Sequence, residues 1–456
     1  MYGPDLDTIR DSLSRIAKID IDSGAAPDIE TAVGRLLLHR LAVVVGPEVA
    51  ASAPHQAALL TVVNIARRYA LGGVFVSGNV DVPLLVLGGD GNSLAGEIEA
   101  QGGRLSGHDA SLPGVVIGTP DVLPAKGVAV TFEGWRGGVV RLGATRLSER
   151  TTVVPAAVLA GALAAGEAFA MIRGEAEAGH RSVGLSLWRP DRAYDWLRSG
   201  SDGPPLEALP DHLWILGLGH LGQAFLWALM LCPHRDRSGV RLVLQDIDVV
   251  TGSTDSTSIL TQKGMLGMKK SRAVAGVLER HGFSTTLIER PFDGAFRRRE
   301  ADDPAVLVCG VDNVLARSQI EDPGFPMVVE AGIGDNAQDF RSLRVHTFPA
   351  SKAAAKLWLP GSPREDKANI GRPGYRRLSE AGGDVCGLTR LAETAVGAPF
   401  VGTVAGCLML AQVLRLLSGD EADALVDLDL RAVRSRRAVR NEVMRTFNPG
   451  FQALSG

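Results

Sequence analysis

Hydrophobic positions along this chain gather in short unbroken runs, the pattern of strands buried on both faces. Leu213-Trp-Ile-Leu is one such run, and it feeds Gly217-Leu-Gly219-His-Leu-Gly222 and then an apolar helical stretch from Gln223 to Cys232. Val240-Arg-Leu-Val-Leu follows as a second predicted strand and ends at Asp246-Ile-Asp248. A strand, a glycine turn, a helix and a second strand open a doubly wound parallel sheet. Ala305–Cys309 is a further strand, ending in Gly310-Val-Asp312-Asn313, with a helix opening at Val314. Pro326-Met-Val-Val-Glu and Ser342–Phe348 complete the predicted set. Residues 350–385 lose the pattern and gain Pro, Gly, Lys and Arg, which predicts a long surface loop before Cys386-Gly387 and a helix over Phe400–Leu417.

The first half repeats these landmarks in the same order. His39-Arg-Leu-Ala-Val-Val-Val-Gly46 parallels His212–Gly217, Val115-Val-Ile-Gly118 parallels Val306–Gly310, and the Ala-rich stretch to Ile172 parallels the one to Leu417. The expected architecture is α/β, with two Rossmann-like doubly wound domains in one chain. The boundaries are 1–175 for a degenerate first copy, 176–211 for a Pro/Gly-rich linker and 212–456 for the intact copy, which carries a crossover loop at about 350–390. Shared runs are common to any two α/β domains, so the repeat is an expectation for the structure to test. Where the intact copy has its glycine turn, the first half has Gly46-Pro-Glu48-Val-Ala-Ala, and Glu48 would repel a phosphate.

Composition narrows the setting. The chain has 456 residues, 45% hydrophobic, with 48 basic against 51 acidic residues and a net charge of −3. That excludes a largely disordered chain and gives no footprint for nucleic acid or an anionic membrane. The start carries acids where a signal peptide carries bases, so the cytoplasm is the expected compartment. Val153–Ile172 and Phe400–Leu417 are apolar enough to test as membrane spans, but their Ala/Gly content and mid-length polar residues fit buried helices better. Four cysteines with no CxxC spacing support neither a disulfide scaffold nor a zinc site.

The mid-chain residues carry the candidate chemistry. A GxGxxG turn brings backbone N–H groups to phosphates at a helix N-terminus. Asp246 follows the last glycine at roughly the 20-residue spacing of an acid that accepts ribose hydroxyls. Lys269-Lys270 open a helical stretch and can offset phosphate charge, although a solvated basic face has the same composition. Asp312-Asn313 sit at the end of a strand, on the crevice rim where ligands of open sheets bind. A carboxylate there works through Mg²⁺; an Asx turn or helix N-cap would use the same residues. Together they suit a nucleoside triphosphate better than hydride transfer.

In Gly217-x-Gly219-x-x-Gly222, Asp246-x-Asp248, Gly267-x-x-Lys270 and Val311-Asp312-Asn313-x-x-x-Arg317 the chain resembles the ThiF/MoeB/E1 superfamily of adenylating enzymes. A degenerate copy joined to an intact one is similar to eukaryotic E1 enzymes, and among relatives the chain looks most like the E1-like proteins of bacterial ubiquitin-like conjugation (Bil-type) defence operons. The resemblance implies that the C-terminal carboxylate of a ubiquitin-like protein attacks the α-phosphate of ATP. It implies ATP contacts from Gly217, Gly219, Gly222, Asp246, Asp248, Lys270, Asp312 and Asn313, with Mg²⁺ on Asp312. It also implies that the two halves pack as a pseudo-dimer. The family's Ser-Asn-Leu-x-Arg-Gln is replaced by Ser253-Thr-Asp-Ser-Thr257-Ser, so Thr257 stands where a phosphate-binding arginine is expected; either an arginine comes from elsewhere, such as the N-terminal half, or adenylation is slow or lost.

Cys232, Cys309 and Cys407 sit in apolar elements and read as core residues. Cys386 lies between an irregular loop and a helix, where a thioester-forming nucleophile needs to be. In E1 enzymes that loop carries the transthiolation cysteine, which then passes the carrier to an E2-like protein. The residues after Leu417 are too few for the ubiquitin-fold domain of eukaryotic E1 enzymes, so an E2 is expected to dock on the core or on the basic Arg431–Arg440 segment. Three other readings stay open on sequence alone: a sulfur-carrier adenylyltransferase without a carrier thioester, an NAD-dependent oxidoreductase, and a non-catalytic binder.

Overall fold

The structure is a computed structural model that describes residues 5–88, 92–191, 195–198, 202–293, 295–300, 302–359 and 370–454. Its first sheet is built from β1 (Arg40–Val45), β2 (Gly73–Ser77), β3 (Arg104–Leu105), β4 (Pro113–Ile117), β5 (Lys126–Glu133), β6 (Arg136–Arg141) and β7 (Val183–Ser186). A short β8 (Ala208–Pro210) precedes the second sheet: β9 (His212–Leu216), β10 (Arg241–Gln245), β11 (Ser284–Ile288), β12 (Val306–Cys309), β13 (Met327–Ile333), β14 (Ser342–Phe348), β15 (Asp423–Asp429) and β16 (Arg437–Arg440). The short strand Phe451–Ala453 pairs with β8.

The sheets share one topology. The first runs β3-β2-β1-β4-β5-β6-β7 and the second β11-β10-β9-β12-β13-β14-β15-β16. In each, four parallel pairings are followed by antiparallel ones. Strand for strand the second repeats the first and adds β16 at its edge, the order that the repeated landmarks predict.

Between the sheets lie two layers of helices. Ala53–Ala66 and Val154–Ile172 cover the first sheet; His220–Met230 and Pro399–Leu417 cover the second, and the two layers pack on each other. Each pair of helices closes on a glycine. A Cβ at Gly161 would lie 2.7 Å from the Ala58 carbonyl oxygen, and one at Gly406 would lie 2.6 Å from the Ala224 carbonyl carbon. The same small-residue contact therefore recurs in both halves. Phe400 and Phe169 meet across the junction at 5.5 Å between ring centroids, and full burial of one such ring contributes about 1.5–3 kcal/mol. The Trp227 indole N–H donates to Thr61 Oγ1 at 3.0 Å in the same core. Val154–Ile172 and Pro399–Leu417 are long and apolar enough to cross a membrane, and 89% and 94% of their apolar windows are buried inside the protein.

Two expectations need correction. The stretch read as linker, 176–211, contains β7, which pairs with β6 and completes the first sheet. A four-residue strand beside Pro190 and Pro204-Pro205 is too short to show through the local composition; Gly200 lies outside the described residues. The predicted loop at 350–385 holds the helix Pro373–Glu380. Its Tyr375 is buried and donates to Asp22 Oδ1 at 2.5 Å, so distant residues stabilise a helix that has few apolar residues of its own. Residues 360–369 of that stretch lie outside the described residues.

The source of that support is an N-terminal arm of three helices, Leu6–Ser12, Arg15–Asp22 and Ile29–Leu38. Although it precedes the first sheet, it packs against the second half. Lys18 donates to the Ala392 carbonyl at 3.1 Å, Arg377 pairs with Asp28, and Arg390 lies 3.4 Å from Asp7.

Candidate active site

Gly217 follows β9 with φ of +85°, the left-handed region that glycine enters without a Cβ penalty. A Cβ at Gly222 would lie 1.9 Å from the Gly217 carbonyl oxygen, so the turn closes only on glycine there. Gly219 differs: no atom lies within 4 Å of its Cβ position. Close packing explains Gly217 and Gly222, whereas Gly219 borders open space at the N-cap of helix His220–Met230.

Asp246, just past β10, is tied to this turn. Its Oδ2 accepts from the Leu218 N–H at 2.7 Å and its Oδ1 from the Asp248 N–H at 2.8 Å. Lys270 opens the helix Lys270–Arg280 and reaches Asp248 Oδ2 at 2.9 Å. Lys269 donates instead to the Ile247 carbonyl. Of the two lysines singled out by the sequence, Lys270 is thus the one joined to the acidic pair.

Asp312 and Asn313 are exposed at the carboxyl end of β12, beside β9. Asn313 caps the short helix Val314–Ser318, its Oδ1 accepting from the Ala316 N–H at 3.0 Å. Arg317 is engaged within the chain, pairing with the fully buried Glu330 and lying 4.4 Å from the Trp358 ring centroid. The structure therefore brings the glycine turn, Asp246, Asp248, Lys270 and Asp312 to one end of the second sheet.

Cys386 is exposed, at the start of helix Val385–Glu393. Asp384 caps that helix, accepting from the Gly387 N–H at 2.8 Å. The helix packs on Leu6–Ser12 of the arm. Cys232, Cys309 and Cys407 are buried, and burial pushes the thiols of Cys232 and Cys309 up to about 12 and that of Cys407 upward as well.

Two sets of residues escaped the sequence reading. Arg15, half-buried on the arm, is an electrostatic neighbour of Asp312: burial lowers its pKa and Asp312 opposes that shift. Its Nη1 donates to the Ala395 carbonyl at 2.7 Å, and its backbone N–H to Ser256 Oγ at 3.0 Å. An arginine from the N-terminal region thus stands beside the rim, where Thr257 supplies none. Arg67 and Arg68, at the end of helix Ala53–Ala66, grip the 255–261 loop. Arg68 is buried and donates to the carbonyls of Asp255 at 2.8 Å and Ser258 at 2.9 Å, while Arg67 reaches the Thr261 carbonyl at 2.7 Å. These contacts join residues far apart in sequence, and no local pattern marks them.

The matching crevice of the first sheet is arranged otherwise. Glu48 stands at the place of Gly219, and its carboxylate accepts from the Thr119 N–H at 2.9 Å and from the Thr119 hydroxyl. Behind it, His55 Nε2 lies 3.0 Å from Glu149, and Arg146 donates to the Gly118 carbonyl at 2.5 Å.

Comparison with known proteins agrees with this arrangement. A family model described as the BilD N-terminal domain matches residues 40–187, and one described as the BilD C-terminal domain matches residues 209–420. Bacterial E1-like protein BilD of Collimonas sp. (strain OK412) is 44% identical over 416 residues, 90% of each chain. Among solved structures, E. coli MccB with MccA-N7isoASN is similar over 51% of this chain and 64% of that one, at 15% identity and a TM-score of 0.34. E. coli TcdA in complex with ATP is similar over 46% and 86%, at 14% identity and a TM-score of 0.32. Matched by both domain models and by a relative similar over nine tenths of its length, the chain belongs to the BilD family of bacterial E1-like proteins.

Proposed function

We propose that this E1-like enzyme uses ATP and Mg²⁺ to adenylate the C-terminus of a ubiquitin-like protein, carries it as a thioester on Cys386, and passes it to an E2-like protein. The observation that carries the reading is the convergence of the glycine turn, Asp246, Lys270 and Asp312 on the carboxyl ends of β9, β10 and β12, with Arg15 held nearby against Ser256 and Ala395.

In the first step a carboxylate oxygen of the carrier bonds to the α-phosphorus, and the bond to pyrophosphate breaks. The backbone amides at the start of helix His220–Met230 and the helix dipole favour phosphate beside Gly219. Asp246 stands at the β10 end where a ribose is held, and Asn313 on the rim adds a polar contact. Lys270 and Arg15 offset charge that grows on the phosphates; preorganised donors of this kind contribute about 10²–10³ in rate each. In the second step the Cys386 sulfur bonds to the acyl carbon, AMP leaves and the thiol proton passes to solvent. The exposure of Cys386 and the burial of the other three cysteines support its choice. The halves act as a pseudo-dimer in which the N-terminal arm supplies Arg15 to the second sheet's crevice.

The donor set fits Mg²⁺ of one kind. No cluster of three His, Cys, Asp or Glu occurs among the described residues. Mg²⁺ that arrives on a triphosphate keeps phosphate and water ligands and takes one or two carboxylates, and Asp312 is exposed on the rim to serve. The ion would supply neutralisation of phosphate charge.

Thermal unfolding with ATP–Mg²⁺, ATP–EDTA and NAD, on wild type and Asp312→Ala, tests the nucleotide. A ligand at 100 times its Kd adds about 2.7 kcal/mol to the native state. ATP–Mg²⁺ is expected to give this shift only with Asp312 present, and NAD none. Stabilisation by NAD alone sinks the reading. Carrier thioester that persists in Cys386→Ala would move the function to carrier adenylation without that thioester.

A further inference from the structure

His220 is the fourth residue of the glycine turn and the first of helix His220–Met230, and none of the steps above uses its side chain. The ring does not point along the turn. It lies in a notch of residues 397–402, which join the Cys386 helix to the long helix Pro399–Leu417. The notch depends on Gly402, whereas Gly397 borders it at ordinary contact distance. A Cβ at Gly402 would stand 2.3 Å from both His220 Nε2 and Cδ2, and one at Gly397 would stand 3.6 Å from Nδ1. The Gly397 position also lies 3.2 Å from Thr257 Cγ2. His220 Nε2 is enclosed there without a hydrogen-bond partner, while the backbone of Ala398 and Pro399 hydrogen-bonds the ring, so shape and backbone contacts hold it together. Arg15 grips the neighbouring Ala395 carbonyl at 2.7 Å, which makes residues 395–402 a place where the rim and the turn both touch the connection to Cys386.

We propose that His220 is a positioning residue that ties the glycine turn to residues 397–402, so that the turn sets the placement of the segment carrying Cys386. This rests on the activating-enzyme reading for its catalytic consequence but not for the contact itself. Adenylation needs the turn alone; thioester formation needs the turn and Cys386 in register. Loss of the ring therefore separates the two steps. A neutral ring suits the notch: enclosure pushes the His220 pKa down to about 4, against an opposing pull from the backbone of Ala398 and Pro399.

The test is a double-mutant cycle of His220→Ala and Gly402→Ala, read in three ways. In His220→Ala the carrier thioester on Cys386 should fall by about tenfold more than ATP–pyrophosphate exchange does. Gly402→Ala, whose methyl collides with the ring, should show the same split. The double variant, in which the methyl replaces the ring, should recover several-fold over Gly402→Ala, as expected for residues in contact. His220→Gln keeps volume and should sit between wild type and His220→Ala. Equal loss of exchange and thioester would make the residue merely structural and overturn the proposal, as would strictly additive effects. The third reading needs no substrate: amide hydrogen exchange over 385–402 should quicken in either single variant and slow again in the double. If wild type shows no pyrophosphate exchange with any carrier, the proposed function fails, while unchanged hydrogen exchange across the cycle would overturn the tie whatever the chemistry.

Discussion

The chain holds two crevices at the same place in two sheets of one topology, and they have been put to different uses. In the second sheet the turn offers backbone at Gly219 with open space beside it. In the first, Glu48 occupies the matching place, and its carboxylate binds the Thr119 N–H and hydroxyl at the end of β4. A helix start and a strand end present N–H groups that need an anion or water. In the first crevice Glu48 takes the strand-end donors of Thr119; in the second Asp246 takes the Leu218 N–H, and Gly219 leaves the helix start open. The difference teaches that one fold accepts at this turn either a carboxylate that closes it onto the end of β4 or an open glycine. The first half also supports the second, since Arg67 and Arg68 hold its loop at 255–261.

The strongest way to break the comparison is to give the second turn the methyl that Ala51 carries in the first. The Cβ of Gly222→Ala would sit 1.9 Å from the Gly217 carbonyl, and such overpacking against backbone costs about 1–3 kcal/mol or more. Urea unfolding should show that loss, and the shift with ATP–Mg²⁺ should vanish. Wild-type stability in this variant would mean that the turn relaxes freely and that its glycines are not set by packing.

Gly219→Glu is a finer graft. Open space and a φ of −91° accept a side chain at Gly219, so the fold should hold within about 0.5 kcal/mol, as for most exposed substitutions. The carboxylate then competes for the phosphate donors, and the nucleotide shift of about 2.7 kcal/mol at 100 times Kd should disappear. The converse, Glu48→Gly, should not create nucleotide binding, because the first crevice lacks counterparts of Asp246 and Lys270. Binding gained there would undo the comparison.

The strands, the repeat, the glycine turn and the acidic residues at the strand ends were legible in the sequence because each is a local pattern. Arg15, Arg67 and Arg68 were not, since their partners lie across the junction between the halves. Arg15 reaches Ala395 and Arg68 reaches Ser258, and nothing in the composition of either segment marks the pairing. The missing arginine at Thr257 did leave a trace, as a demand for a cation from elsewhere, but Arg15, which we propose for that role, comes into view only through the packing of the N-terminal arm against the second half. The family arginine Arg317 was visible by spacing, yet its side chain serves the buried Glu330.

The scaffold role of the first half sharpens through Arg68→Ala. The guanidinium is buried and bonds the carbonyls of Asp255 and Ser258. Hydrogen bonds from a charged group contribute about 1.5–3 kcal/mol. Denaturant unfolding should fall by that amount, and hydrogen exchange should quicken over 252–261 while Glu48 and its crevice stay unchanged. An equal rise in exchange around Thr119 would show that the halves do not separate in this way.

The smallest effect distinguishes the crevices by pH. Burial tends to raise the Glu48 pKa, but the Thr119 hydroxyl and N–H outweigh it and hold the carboxyl below its usual 4.5. Its contribution is therefore complete above the unfolded value and is lost as pH falls through the lower folded one. His220 in the second crevice has a pKa pushed from 6.5 down to about 4 by enclosure. The unfolded chain binds that proton first, so stability falls as pH drops from 6.5 towards 4. The two windows scarcely overlap. Stability measured from pH 7 to 3 should lose part of its slope above pH 4 in His220→Gln and part of its slope below pH 4.5 in Glu48→Gln. His234, also near 4 through burial, keeps a residual slope in the upper window in both variants. Slopes that changed in the same window for both substitutions would mean that the crevices titrate as one unit and that the first is not the self-contained structure its bonds describe.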